Sequence, residues 1–177
     1  FFKMKINVLV LSFILAGVSH LATAADGQIN FIGNITATTC SINSGTPTQT
    51  VNLGDVPASS LALTGQTAGH KSFALNLTGC TGGMTAVGAR FESLSLANSN
   101  GRLNLDAASD AAGVEVAIYD SIGTPQQVNG NIPDESYVTL TAGNATLNYI
   151  AAYYATGPGP AEVGSANSAV SYTLSYR

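Results

Sequence analysis

An all-β fold is what this sequence predicts, and three observations carry the prediction. Apolar and polar side chains alternate at period two in one segment after another. Clusters of Gly, Asn, Ser and Pro punctuate those segments at intervals of roughly 8 to 20 residues. Only 9% of the 177 residues are charged, with 19 Gly and no Trp, so the helix-favouring Glu, Lys and Arg are scarce and Thr, Ser, Asn and Val take their place. With 45% hydrophobic residues the chain has enough apolar surface to offset the entropy of ordering. A single β-sandwich of about seven to nine strands satisfies these signals.

Residues 1–24 are expected to form a cleaved signal peptide. Lys3 and Lys5 give a positive start, residues 6–16 an apolar run too short for a membrane span, and Ala22-Thr23-Ala24 a small-x-small cleavage site. This reading starts translation at Met4. The remaining chain, residues 25–177, keeps four basic side chains (Lys71, Arg90, Arg102 and Arg177) against all ten acids, a formal charge of −6. That is no footprint for nucleic acid. Next, Gly27, Ile29, Phe31, Gly33 and Ile35 alternate with Gln28, Asn30, Ile32, Asn34 and Thr36 in an N-terminal strand.

Cys40 and Cys80 are the only cysteines, and in an oxidising compartment they are expected to form a disulfide. Closing a loop of about 40 residues would stabilise the fold by roughly 4 kcal/mol in the chain-entropy model. The alternative, a reactive or zinc-binding pair, lacks ligands, because only His70 survives removal of the signal. No cofactor or metal is expected.

Leu75 and Leu77 set a strand that stops at Gly79-Cys80. Leu94 and Leu96, then Leu103 and Leu105, flank Asn100-Gly101, a pair that signals a tight hairpin because both residues tolerate positive φ. Residues 106–112 could make a short helical turn. Val114, Val116 and Ile118 share one strand face, Val138 and Leu140 another, and Leu147, Tyr149, Ala151 and Tyr153 a fourth strand before the Gly157-Pro158-Gly159-Pro160 break. Ser168, Val170, Tyr172, Leu174 and Tyr176 alternate in the last strand.

Taken together, the signal peptide, GQINFIG after it, ATTC and LTGC around the two cysteines, AAYYATG, Gly164 fourteenth from the last residue and Tyr176 next to last resemble the subunits of chaperone–usher fimbriae of the type 1-like kind, over the whole chain. The resemblance implies an incomplete immunoglobulin-like β-sandwich that lacks its final strand and is completed by a donor strand from a neighbouring subunit or a chaperone. It divides the chain into residues 1–24 (signal), 25–36 (donor-strand extension) and 37–177 (pilin sandwich).

Carried onto this sequence, it implies that Gly27, Ile29, Phe31, Gly33 and Ile35 form the donor strand, with Ile29 and Phe31 the main knobs. Gly164, Val170, Tyr172, Leu174, Tyr176 and Arg177 would form one groove wall and the chaperone-binding strand, with the Arg177 carboxylate as the chaperone's anchor. The implied function is a major shaft subunit of a bacterial surface fimbria that polymerises head to tail and supports adhesion. Its partners would be identical or related pilins, a periplasmic chaperone, an outer-membrane usher and, through the assembled fimbria, a host-surface receptor. Only Ala25 and Asp26 precede Gly27, so the extension is short for the family.

Catalysis finds little support. His70 has no second histidine to work with, and Asp106 with Asp110, or Asp134 with Glu135, lie in turn-rich polar stretches without calcium-loop spacing. A self-contained secreted β-sandwich binding carbohydrate or a receptor is the alternative function, with Tyr119, Tyr137, Tyr149, Tyr153 and Tyr154 as scattered candidates. It would be stable without an added strand.

Overall fold

The structure, a computed structural model, describes residues 30–32 and 40–177. The chain divides into two units, Phe1–Ile35 and Thr36–Arg177. In the first, the described residues include Phe31 and Ile32, 91% and 97% exposed. Gly27, Ile29, Gly33 and Ile35 lie outside the described residues.

The second unit is a sandwich of two antiparallel sheets. Its strands are β1 (Ser41–Ile42), β2 (Thr67–Thr78), β3 (Ala86–Glu92), β4 (Val114–Asp120), β5 (Val138–Thr139), β6 (Ala145–Ala155) and β7 (Ser171–Tyr176). One sheet has the order β1-β2-β6-β4 and the other β5-β3-β7. The predicted alternation becomes burial: Leu75 and Leu77 on β2, Val116 and Ile118 on β4, and Leu147 and Tyr149 on β6 enter one core with Val87, Ala89 and Phe91 of β3. Rings of Phe73, Phe91 and Tyr149 meet at its centre with centroids 4.9 to 6.4 Å apart. Each such buried side chain contributes about 1.5–3 kcal/mol. The Cys40–Cys80 disulfide forms, joining the approach to β1 with the residue just past the end of β2.

The Tyr149 hydroxyl is buried without a partner in hydrogen-bonding geometry. Burial pushes it up to about 12, opposed by the nearby Ala89 main chain and reinforced by the Asp120 charge. Asp120 itself is buried at the end of β4. Its carboxylate accepts from the Ile122 and Thr124 N–H groups at 3.0 and 2.8 Å and from the Ser136 hydroxyl at 2.8 Å, while Gln126 Nε2 donates to Ser136 Oγ.

Three local expectations are corrected. Asn100-Gly101 is not a two-residue hairpin turn. Asn98 N–H bonds the Arg102 carbonyl and only Gly101 is left-handed, so the loop is longer and pairing is reduced to the bridge Ala97–Leu103. Leu94 is fully exposed in a bend rather than on a strand face. Residues 106–112 form a turn, not a helix, because the Asp106 carboxylate takes the Ala108 N–H and the Ser109 hydroxyl locally. Two strands lack a counterpart in the sequence reading: β1 is only two residues long, and in β3 Gly88, Arg90 and short alanines dilute the Val87, Ala89 and Phe91 alternation.

Candidate functional site

Among the described residues the last strand lies at the edge of its sheet and pairs only with β3. Arg177 and Ala86 exchange both main-chain hydrogen bonds, at 2.9 and 3.2 Å. In an antiparallel ladder, directly bonded pairs alternate with unbonded ones. With Tyr176 opposite Val87 and Tyr172 opposite Phe91, Ser171, Thr173 and Ser175 therefore bond β3. The main-chain groups of Tyr172, Leu174 and Tyr176 turn the other way, toward the open edge. Their side chains are the half-buried ones that pack on the core, so one set of residues presents both apolar surface and an unfilled ladder.

Beyond that edge lies a groove of about 1300 Å³, larger than most small-molecule pockets. Its floor is core: Phe73, Leu75, Phe91, Val116, Ile118 and Ala151 all line it. One wall is β7 with residues 161–170 leading into it. The other is residues 47–56, which form no ladder. Gln49 Nε2 ties it to the Ala74 carbonyl at 3.3 Å, and just ahead of it Asn43 Oδ1 accepts the Asn76 N–H at 2.9 Å.

Gly69 lets this wall sit close. It occupies the bulge where the β2–β6 register shifts, at φ +69°, and a Cβ there would lie 2.9 Å from Val56 Cγ2 and 3.1 Å from the Leu53 carbonyl oxygen. Val51, Leu53 and Val56 were the signal for this wall in the sequence, but Gly54 at φ +75° breaks their alternation.

The predicted C-terminal wall is brought together only in part as a strand. Tyr172, Leu174 and Tyr176 are on β7, while Gly164 and Val170 precede it. The Asp106 N–H bonds the Asn167 carbonyl at 2.8 Å, and the Asp110 and Ala111 N–H groups both bond the Ser165 carbonyl at 3.0 Å. Gly164 permits this crossing: a Cβ would stand 2.6 Å from the Ala111 nitrogen. Arg177 stacks its guanidinium on Tyr137 at 3.6 Å, and its main-chain oxygen accepts the Thr85 N–H at 2.7 Å.

Tyrosines mark the mouth. The Tyr172 hydroxyl donates to the Pro47 carbonyl and the Tyr153 hydroxyl to the Ala166 carbonyl, each at 2.8 Å. Burial pushes both hydroxyls up, with the Asp55 charge adding at Tyr153, so both remain neutral donors at physiological pH. On the opposite face of the first sheet, Arg102 lies over the Tyr154 ring at 3.9 Å and bonds Glu115 at 2.6 Å.

Fold and groove define an immunoglobulin-like structural domain. A model of the fimbrial protein family matches residues 29–177. The chain is 38% identical over 177 residues to the major fimbrial subunit SMF-1 of Stenotrophomonas maltophilia, covering 92% of this chain and 99% of that one. It is 35% identical over 173 residues to the F17 fimbrial protein of Escherichia coli, covering 93% and 95%. A solved Burkholderia pseudomallei antigen and type I fimbria protein superposes with a TM-score of 0.57 at 30% identity, over 85% of this chain and 97% of that one. The P pilus rod subunit PapA shares the fold with a TM-score of 0.57 at 21% identity, over 78% and 99%. This chain belongs to the fimbrial protein family. It is a structural subunit of a bacterial surface fimbria, and its family is one of structural proteins, not of enzymes.

Proposed function

We propose that subunits join head to tail by donor-strand complementation: residues 27–35 of one copy fill the groove of the next, with Ile29 and Phe31 as the knobs and Gly27, Gly33 and Ile35 completing the strand. The observation that carries this reading is the edge of β7, where the main-chain groups of Tyr172, Leu174 and Tyr176 find no ladder partner among the described residues, beside a groove with an apolar floor. An added strand would satisfy the ladder and cover the apolar floor at once.

In this reading residues 1–24 are a leader, residues 25–36 the extension and residues 37–177 the accepting sandwich. Before assembly the same edge, with Gly164, Val170 and Arg177, serves a periplasmic chaperone that lends a strand, and an outer-membrane usher receives the complex. A contact of this kind joins two different surfaces and does not close, so it propagates a filament.

The test is complementation by peptide. The chain is prepared with its disulfide intact, with and without a synthetic peptide of residues 25–36, and followed by sedimentation and thermal unfolding. The expected outcome is a self-associating chain that the peptide converts to a monomer with a much higher unfolding temperature. A stable monomer indifferent to the peptide would instead support a self-contained binding module.

A further inference from the structure

Tyr172 stands where the main chain of β7 turns toward the groove, yet its side chain reaches beyond its own wall. Its hydroxyl donates to the Pro47 carbonyl on the facing wall, 125 residues away in the chain. This bond ties the beginning of residues 47–56 to the end of residues 161–172, while Val56 and Ala161 pack in one cluster at the other end, so the two walls run in opposite directions. Tyr176 continues the closure on the same side, its hydroxyl 3.3 Å from Cys40 Sγ. Toward Leu61 and Ala161 the arrangement differs, for Tyr153 rises from the floor and its hydroxyl bonds the Ala166 carbonyl of the β7-side wall.

A strand pairing with β7 lies about 4.8 Å from it, and a strand fitted between two walls sets them about twice that distance apart. A strand that pairs with β7 at Tyr172 runs between the two walls that this bond joins. Once seated, its own N–H groups can supply the Pro47 carbonyl. Resting on the donor-strand reading, we propose that Tyr172 is a latch: its hydrogen bond to Pro47 ties the two walls together at this end and must release before a donor strand pairs with β7. The Tyr172 hydroxyl then governs how fast a strand is accepted, and it contributes nothing to how firmly the strand is held afterwards. It is a positioning residue for strand exchange.

Tyr172→Phe keeps the ring and its packing and removes only the bond. The association rate of a fluorescent peptide of residues 27–36 with the full, disulfide-bonded chain is compared between the two proteins, together with the unfolding temperature of each filled complex. Loss of one neutral hydrogen bond predicts association faster by about three- to tenfold, with complexes that melt together. Tyr153→Phe, which removes a hydroxyl bond within one side of the same groove, is expected to leave the rate unchanged.

Equal rates for Tyr172→Phe and the unaltered chain would overturn the latch. So would a Tyr172→Phe complex that melts lower, since the bond would then persist in the filled groove, or equal acceleration by Tyr153→Phe, which would indicate general loosening. A peptide that binds none of the three proteins is a different result: it removes the donor-strand reading and the latch with it.

Discussion

Asp120 shows how a single buried charge is made tolerable. Burial alone would push its carboxyl up, but the N–H groups of Thr124 and Ile122 and the Ser136 hydroxyl outweigh it and hold the group below the ordinary carboxylate value. A carboxyl depressed in the folded state stabilises the fold above its unfolded pKa, about 3.9, and loses that contribution as pH falls through the folded value. In Asp120→Asn the new amide would face a Ser136 oxygen that already accepts from Gln126 Nε2, leaving one donor unmatched. The variant is expected to lose about 1–3 kcal/mol at pH 7 and to show a flatter decline below about pH 4. Urea unfolding of both proteins between pH 3 and pH 7 reads both effects. An unchanged pH profile in the variant would mean that Asp120 is not a source of the acid sensitivity.

At the scale of elements, what was legible depended on whether burial alternated. Strands β2, β4, β6 and β7 were readable because large apolar side chains recur at every second position on the core-facing side, so Leu75 and Leu77, or Val116 and Ile118, declare the face directly. The facing groove wall was not, because residues 47–56 join no ladder and are tied by the Gln49 side chain to the distant Ala74 carbonyl, a contact with no local period. Asn100-Gly101 misled for a related reason: Asn98 Oδ1 captures the N–H groups of Asn100 and Arg102 and draws out a wider loop.

Gly164 was noticed for its position, and the structure supplies the physical reason. It carries the groove wall across Asp110 and Ala111 without room for a Cβ. Gly164→Ala must shift that main chain, straining the bonds from Asp110 and Ala111 to Ser165. The expected cost is about 1–3 kcal/mol, with faster amide exchange at Asp110 and Ala111 while β2 and β6 stay protected. Uniform acceleration over the whole sandwich would contradict this local account.

For the whole molecule, the donor-strand proposal has the two units divide the work of assembly in a way that mutation can separate. The sandwich supplies the groove, while Phe31 belongs to the unit Phe1–Ile35 and is 91% exposed. A charge at that position therefore removes no core contact from the accepting domain, but it would have to be buried when the segment enters a neighbour. Seating the phenyl contributes about 1.5–3 kcal/mol, and an unpaired carboxylate in the same apolar floor costs more than that gain. Phe31→Asp is thus expected to yield a subunit that folds, keeps its Cys40–Cys80 bond and is held by its chaperone, yet forms no fibres in electron micrographs of cells carrying the assembly machinery. Phe31→Leu, apolar and smaller, should restore fibres that dissociate at lower temperature. Normal fibres from Phe31→Asp would take residues 27–35 out of the joint, whereas loss of the folded subunit would place Phe31 in the stability of the single chain.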